Sequence, residues 1–66
     1  MRGKVKFYSV KKGFGFIVPD GGEKDVYFNK GGLRRDREYD PIDGDEVEFQ
    51  IRDTPAGCIA HHIEQL

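Results

Sequence analysis

A closed barrel of five short β-strands is the fold class this sequence predicts, and three observations carry it. Five segments of alternating or apolar character, at 4–8, 13–18, 25–29, 47–52 and 58–63, are separated by turns or loops bearing Gly and Pro. No window shows the 3.6-residue stripe of an amphipathic helix. At 66 residues the chain lies near the lower size limit for a self-sufficient core, and closure removes the edges that a flat sheet would expose.

Taken in order, Lys4-Val5-Lys6-Phe7-Tyr8 alternates charged and apolar residues and reads as the first strand. Gly13-Phe14-Gly15-Phe16-Ile17-Val18 is the second, closed by the turn signal Pro19-Asp20-Gly21-Gly22. Strand alternation puts Phe14 and Phe16 on one face and Ile17 on the other, so Ile17 belongs to the core and the two rings face outward. Glycine weakens a strand interior. Its place between two rings, beside Lys11 and Lys12, therefore suggests that something must approach the backbone closely. Flat rings next to positive charge suit a nucleic-acid base beside its phosphate.

Asp25-Val26-Tyr27-Phe28-Asn29 is the third strand, with Val26 and Phe28 inward and Tyr27 outward. From Leu33 to Asp45 no period appears, and a loop of that length is functional or mobile. Tyr39 within it either stacks on a base or pins the loop. Arg34, Arg35 and Arg37 either clamp phosphates or, interrupted by Asp36 and Glu38, form a solvated charged face; the second reading is preferred. Val47, Phe49 and Ile51 alternate as the inward face of the fourth strand. In the fifth, His61 falls in phase with Ile59 and Ile63 and reads as a partly buried, hydrogen-bonded histidine, and Cys58 as a small packing residue.

Composition narrows the function classes. The net charge of −1 hides a strong asymmetry: residues 1–37 carry ten basic and four acidic groups, and residues 38–66 one basic and eight acidic. Local potential, not the total, attracts a polyanion. A single cysteine excludes an intramolecular disulfide and a cysteine-based zinc cage. A reducing, cytoplasmic location is expected, with no signal peptide and no membrane partner, since no apolar run reaches about 18 residues. The His61-His62 pair invites a metal, but strand neighbours point to opposite faces, so no metal site is expected. Gly13-Phe14-Gly15 lacks the third glycine and the following helix of a dinucleotide fingerprint. No nucleophile–base pair stands out, and neither an enzyme nor a cofactor is expected.

The motifs then become recognisable as a set. Gly3-Lys4-Val5-Lys6-Phe7-Tyr8, Lys12-Gly13-Phe14-Gly15-Phe16-Ile17, Lys24-Asp25-Val26-Tyr27, Asp43-Gly44-Asp45-Glu46-Val47-Glu48-Phe49-Gln50-Ile51 and the closing Gly57…Ala60…Ile63 resemble the bacterial cold-shock proteins over nearly the whole chain. The resemblance implies a single domain, a five-stranded antiparallel oligonucleotide-binding barrel whose second and third strands carry a stacking platform. It also implies low-specificity binding of single-stranded RNA or DNA, acting as an RNA chaperone or a regulator of transcription or translation. A monomer is expected. By position it assigns Lys6, Phe7, Phe14, Phe16 and Tyr27 to the binding surface, Lys12 to a flanking phosphate, and Tyr8 and Tyr39 to adjacent aromatic positions.

Two departures stand out. Where the family usually continues Val-His-Phe after the third-strand aromatic, this chain has Phe28-Asn29-Lys30, so Asn29 replaces a histidine and Lys30 a platform ring. Phe7 stands where tryptophan is usual. Asn29 and Lys30, together with the acidic carboxy-terminal third, motivate an alternative: a protein-interaction barrel of the same fold with weakened nucleic-acid affinity. Strict alternation also turns Phe7 toward the core with Val5, whereas the resemblance wants Lys6 and Phe7 both at the ligand. A bulge in the first strand would satisfy both.

Overall fold

The computed structural model describes residues 1–22, 24–33 and 39–66. Five strands, β1 (Arg2–Ser9), β2 (Phe14–Pro19), β3 (Val26–Asn29), β4 (Glu46–Thr54) and β5 (Gly57–Gln65), close into a barrel with the neighbour order β1-β2-β3-β5-β4. One 3-10 turn, Lys30–Gly32, follows β3. The expected all-β barrel is therefore present, with one correction to its strand directions. The β3–β5 neighbours run parallel, meeting at Tyr27 and Ile59, while the other four pairings are antiparallel. A closed ring with an odd number of strands cannot alternate direction all the way round, so one pair must run parallel.

The core contains Val5, Ile17, Val26, Phe28, Val47, Phe49, Ala60 and Ile63, with Tyr8, Leu33 and Tyr39 packed against it. Period-two reasoning places Ile17, Val26, Phe28, Val47 and Phe49 correctly. Ile51 is corrected: it is 37% exposed, although it lies opposite the core residue Ala60. Cys58, opposite Asp53 near the turn of the β4–β5 hairpin, is exposed, its thiol donating a hydrogen bond to Asp53 Oδ1 at 3.0 Å. It is not a packing residue, and the carboxylate it bonds holds the thiol above its usual pKa.

Gly15 of β2 and Gly13 of the preceding turn also take a different explanation. Gly15 is buried, and a Cβ there would lie 2.2 Å from the Phe7 carbonyl oxygen and 2.9 Å from Phe28 Cζ. What approaches its backbone is the barrel's own first strand and core ring. Gly13 has φ 73° and closes the β1–β2 turn, where its N–H donates to the Ser9 carbonyl at 2.7 Å.

Candidate nucleic-acid interface

The interface is assembled by an irregularity in β1. Its register against β2 shifts between Val5, opposite Ile17, and Phe7, opposite Phe16. Lys6 is the inserted residue, so Val5 faces the core while Lys6 and Phe7 both turn outward, and Phe7 is 39% exposed. Directly opposed residues share a face of a sheet, and the ladders thus align Phe7, Phe16 and Tyr27 in one outer row across β1, β2 and β3. The next row holds Ser9, Phe14 and Asn29.

Four rings form one patch. Phe14 is its hub, 5.7 Å from Phe7 and 6.3 Å from Phe16 edge to face, and 6.0 Å from Tyr27 with the planes only 22° apart. Phe16 meets Tyr27 edge to face at 5.8 Å. These contacts fix the rings to one another while Phe14 and Phe16 remain half-buried and Tyr27 is 38% exposed. The patch is preformed. A base that stacks on it would not have to order the rings first.

Charge borders the rings. Lys11 and Lys12 are exposed in the β1–β2 turn, whose shape is held by the Lys12 N–H donating to Ser9 Oγ at 3.1 Å. Lys30 stands beside that turn, its N–H donating to the Gly13 carbonyl at 2.7 Å. Starting the 3-10 turn takes Lys30 out of the sheet, so the ladder on this side ends at Asn29 opposite Phe14. Lys6 is held by an ion pair: its Nζ donates to Asp25 Oδ2 at 2.7 Å, with both side chains well exposed. Asp25 is the polar neighbour that sequence reasoning missed. Only the bulge, which carries no composition signal, brings these two side chains together.

Two of the aromatic candidates lie elsewhere. Tyr8, next after the bulge, turns inward and stacks on Phe28 with centroids 5.5 Å apart and planes 12° apart. Burial, then the charge of Asp40, raises its phenol pKa. Tyr39 packs on the core, and its hydroxyl donates to Asp45 Oδ2 at 2.8 Å. The Ile42 N–H donates to the same oxygen at 3.1 Å, so Tyr39 pins the approach to β4. Burial, then the Asp45 hydrogen bond, pushes its phenol well above the ordinary range. The arginines Arg34, Arg35 and Arg37 lie outside the described residues.

The acidic part of the chain contributes the other wall. Glu46 and Glu48 are exposed on β4, across the ring from β2, and oppose Lys4 and Arg2 of β1. Among the described residues no three His, Cys, Asp or Glu side chains converge to hold a metal ion, and no helix is long and apolar enough to cross a membrane. His61 is half-buried and hydrogen-bonded, as expected, but its phase is corrected. Ala60 and Ile63 are the buried residues of this stretch, and His61 and His62 do not point to opposite faces. Desolvation, then the neighbouring His62 and Arg52, lowers the His61 imidazole pKa.

The family profile of the 'Cold-shock' DNA-binding domain matches residues 1–66. The cold shock-like protein CspI of Escherichia coli strain K12 is 38% identical over 66 residues, spanning 100% of this chain and 94% of that protein. The cold shock-like protein CspA of Stigmatella aurantiaca is 34% identical over 64 residues, 97% of this chain and 94% of that protein. A glycine-rich protein 2 of Nicotiana sylvestris is 40% identical over 50 residues, 76% of this chain but 23% of its own length. The chain belongs to the cold-shock domain family.

Proposed function

We propose that this cold-shock domain binds single-stranded RNA or DNA with low sequence specificity by stacking unpaired bases on Phe7, Phe14, Phe16 and Tyr27. The observation that carries the reading is the β1 bulge, which adds Phe7 to the outward rings of β2 and β3 instead of burying it. Exposed rings held in contact are costly to leave facing water, and such a patch marks a binding surface. Every base has a π-face, so the platform accepts most sequences. Lys11, Lys12 and Lys30 at its edge attract the phosphates between stacked bases, and Lys6 can join them by exchanging Asp25 for a phosphate.

Trapping unpaired strands shifts hairpins toward their open forms, which is what an RNA chaperone or a regulator of transcription or translation of this kind requires. The process needs no cofactor, and no catalytic step is assigned. A site of a few nucleotides suits a platform of four rings, at the lower end of the roughly 4–16 nucleotides bound per barrel of this type. The domain is proposed to act as a monomer in the cytoplasm, where its single Cys58 stays reduced.

The test is a titration with an unstructured heptathymidine or heptauridine, followed by backbone amide and aromatic NMR shifts at low and high salt. Shifts centred on Phe14, Phe16 and Tyr27, with affinity falling as salt rises, support the proposal. Millimolar or undetectable affinity at low salt overturns it and favours a protein-interaction role for the barrel.

A further inference from the structure

The His61-His62 pair breaks the rule for neighbours in a strand. Successive side chains of a regular strand point to opposite faces, yet these two imidazoles sit side by side, with ring centroids 4.6 Å apart and Nδ1 to Nδ1 at 2.6 Å. The cause is a second bulge. The β4–β5 register shifts between Glu48, opposite Glu64, and Gln50, opposite His61, so Phe49 alone faces both His62 and Ile63. His62 takes up the extra residue with φ 53°, the only positive φ outside glycine among the described residues. Histidine enters the left-handed region more readily than most residues, but the conformation is still strained.

Two imidazole nitrogens at this separation have room for one proton between them. A cation that accepts nitrogen lone pairs can take that proton's place, and the geometry points to a two-nitrogen chelate for a late first-row divalent transition-metal ion, copper(II) before nickel(II). With metal–nitrogen bonds of about 2.0 Å, nitrogens 2.6 Å apart subtend about 80° at the ion, once the two rings, which face each other across a hydrogen bond, turn their lone pairs to one side. That lies close to the right angle between adjacent ligands in tetragonal and octahedral ions. A tetrahedral zinc site needs its nitrogens about 3.3 Å apart at the same bond length. The affinity order of divalent ions at nitrogen ligands also peaks at copper. Magnesium and calcium prefer oxygen and are excluded by the donors.

No third His, Cys, Asp or Glu completes the set among the described residues, so water fills the remaining positions and the ion stays exchangeable. The neighbouring groove is lined by Met1, Glu48, Phe49, Gln50 and Glu64 beside His62, with the Met1 ammonium, which donates to the Phe49 carbonyl at 3.0 Å, set against the two carboxylates. The chelate lies on β5, and none of its residues belongs to the ring platform of β1, β2 and β3.

The experiment uses the full chain stripped of metal, titrated with copper(II), nickel(II), zinc(II) and magnesium chlorides in a non-coordinating buffer. Binding is read by visible absorption and electron paramagnetic resonance for copper, and by calorimetry for all four. Two variants accompany it: His61→Gln, and His62→Asn, which puts a residue tolerant of positive φ at the bulge. Thermal melting confirms that each is folded. The expected result is one copper per chain, with hyperfine coupling to two imidazole nitrogens and the order copper, nickel, zinc. Each variant should bind copper at least about tenfold more weakly, as a chelate reduced to one nitrogen does. Copper affinity unchanged in both folded variants overturns the assignment. So do tighter binding of zinc than of copper and the absence of imidazole coupling.

Discussion

Replacing Phe14 by alanine separates what the rings contribute from what the charges contribute. The ring touches Phe7, Phe16 and Tyr27 at 5.7, 6.3 and 6.0 Å, so it is both a base platform and the brace of its neighbours. Losing one stacked base removes about 1–3 kcal/mol, which is a loss of about 5- to 150-fold in affinity. Losing the ring contacts, each worth about 0.5–1.5 kcal/mol beyond burial and weaker at a wet surface, destabilises the fold by about 1–2 kcal/mol. A domain of this size has about 3–10 kcal/mol of stability, so the variant stays folded. No charge is removed, and the slope of log affinity against log salt should not change. Fluorescence anisotropy with a labelled heptathymidine across a salt series, beside urea denaturation, measures both quantities. Affinity within twofold of the parent in a folded variant refutes the stacking argument. A shallower salt slope refutes the separation of rings from charges.

Three further substitutions test the frame around the rings. Gly15→Ala places a methyl 2.2 Å from the Phe7 carbonyl oxygen, a backbone clash that no rotamer relieves; a loss of at least about 2 kcal/mol in urea denaturation is expected. Full stability would show that the β1 bulge is not packed as described. Lys12→Ala should weaken binding of all sequences alike and reduce the salt slope by about 0.7, and an unchanged slope would remove Lys12 from the phosphate contacts. Tyr39→Phe should cost about 0.5–1.5 kcal/mol through the lost bond to Asp45. The phenol proton is held more tightly in the folded chain than in the unfolded one. Its contribution is therefore complete below about pH 10, the unfolded value, and is lost as pH rises through the higher folded value. Equal alkaline loss of stability in parent and Tyr39→Phe, followed by urea denaturation from pH 9 upward, would contradict this.

Much of the barrel is legible because strand alternation is a property of the covalent chain. Ile17 and Phe28 go in and Phe16 and Tyr27 go out, as period two demands. The same reasoning fails wherever a bulge resets the phase. In β1 the reset is readable as a conflict, since Lys6 and Phe7 are both wanted outside, and the same one-residue insertion carries Tyr8 inward against its assigned role. In β5 nothing in the sequence announces the reset at His62, and alternation alone sets the two histidines facing apart. Cys58 fails for another reason: its alternation is intact, but it lies near the turn of the hairpin, opposite Asp53, whereas Ile51 is exposed even though it opposes the core residue Ala60. By sequence alone Gly15 offers room for a ligand, yet its occupant is the chain itself.

The parallel closure has a consequence for how the barrel opens. β3 is zipped to β2 by four opposed pairs from Phe14 to Ile17, but among the described residues it meets β5 only at Tyr27 and Ile59, with an isolated bridge from Leu33 to Ile63 beyond it. This is the thinnest seam in the wall, and local opening starts where the fewest bonds must break. Tyr27 sits on the seam and also presents its ring to solvent. A strand of nucleic acid laid across Tyr27 and Phe16 joins β3 to β2 and leaves the β3–β5 seam unbridged, so binding does not hold that seam shut. Amide exchange along the β2–β3 ladder should slow on binding, while exchange at Ile59, across the unbridged seam, should not.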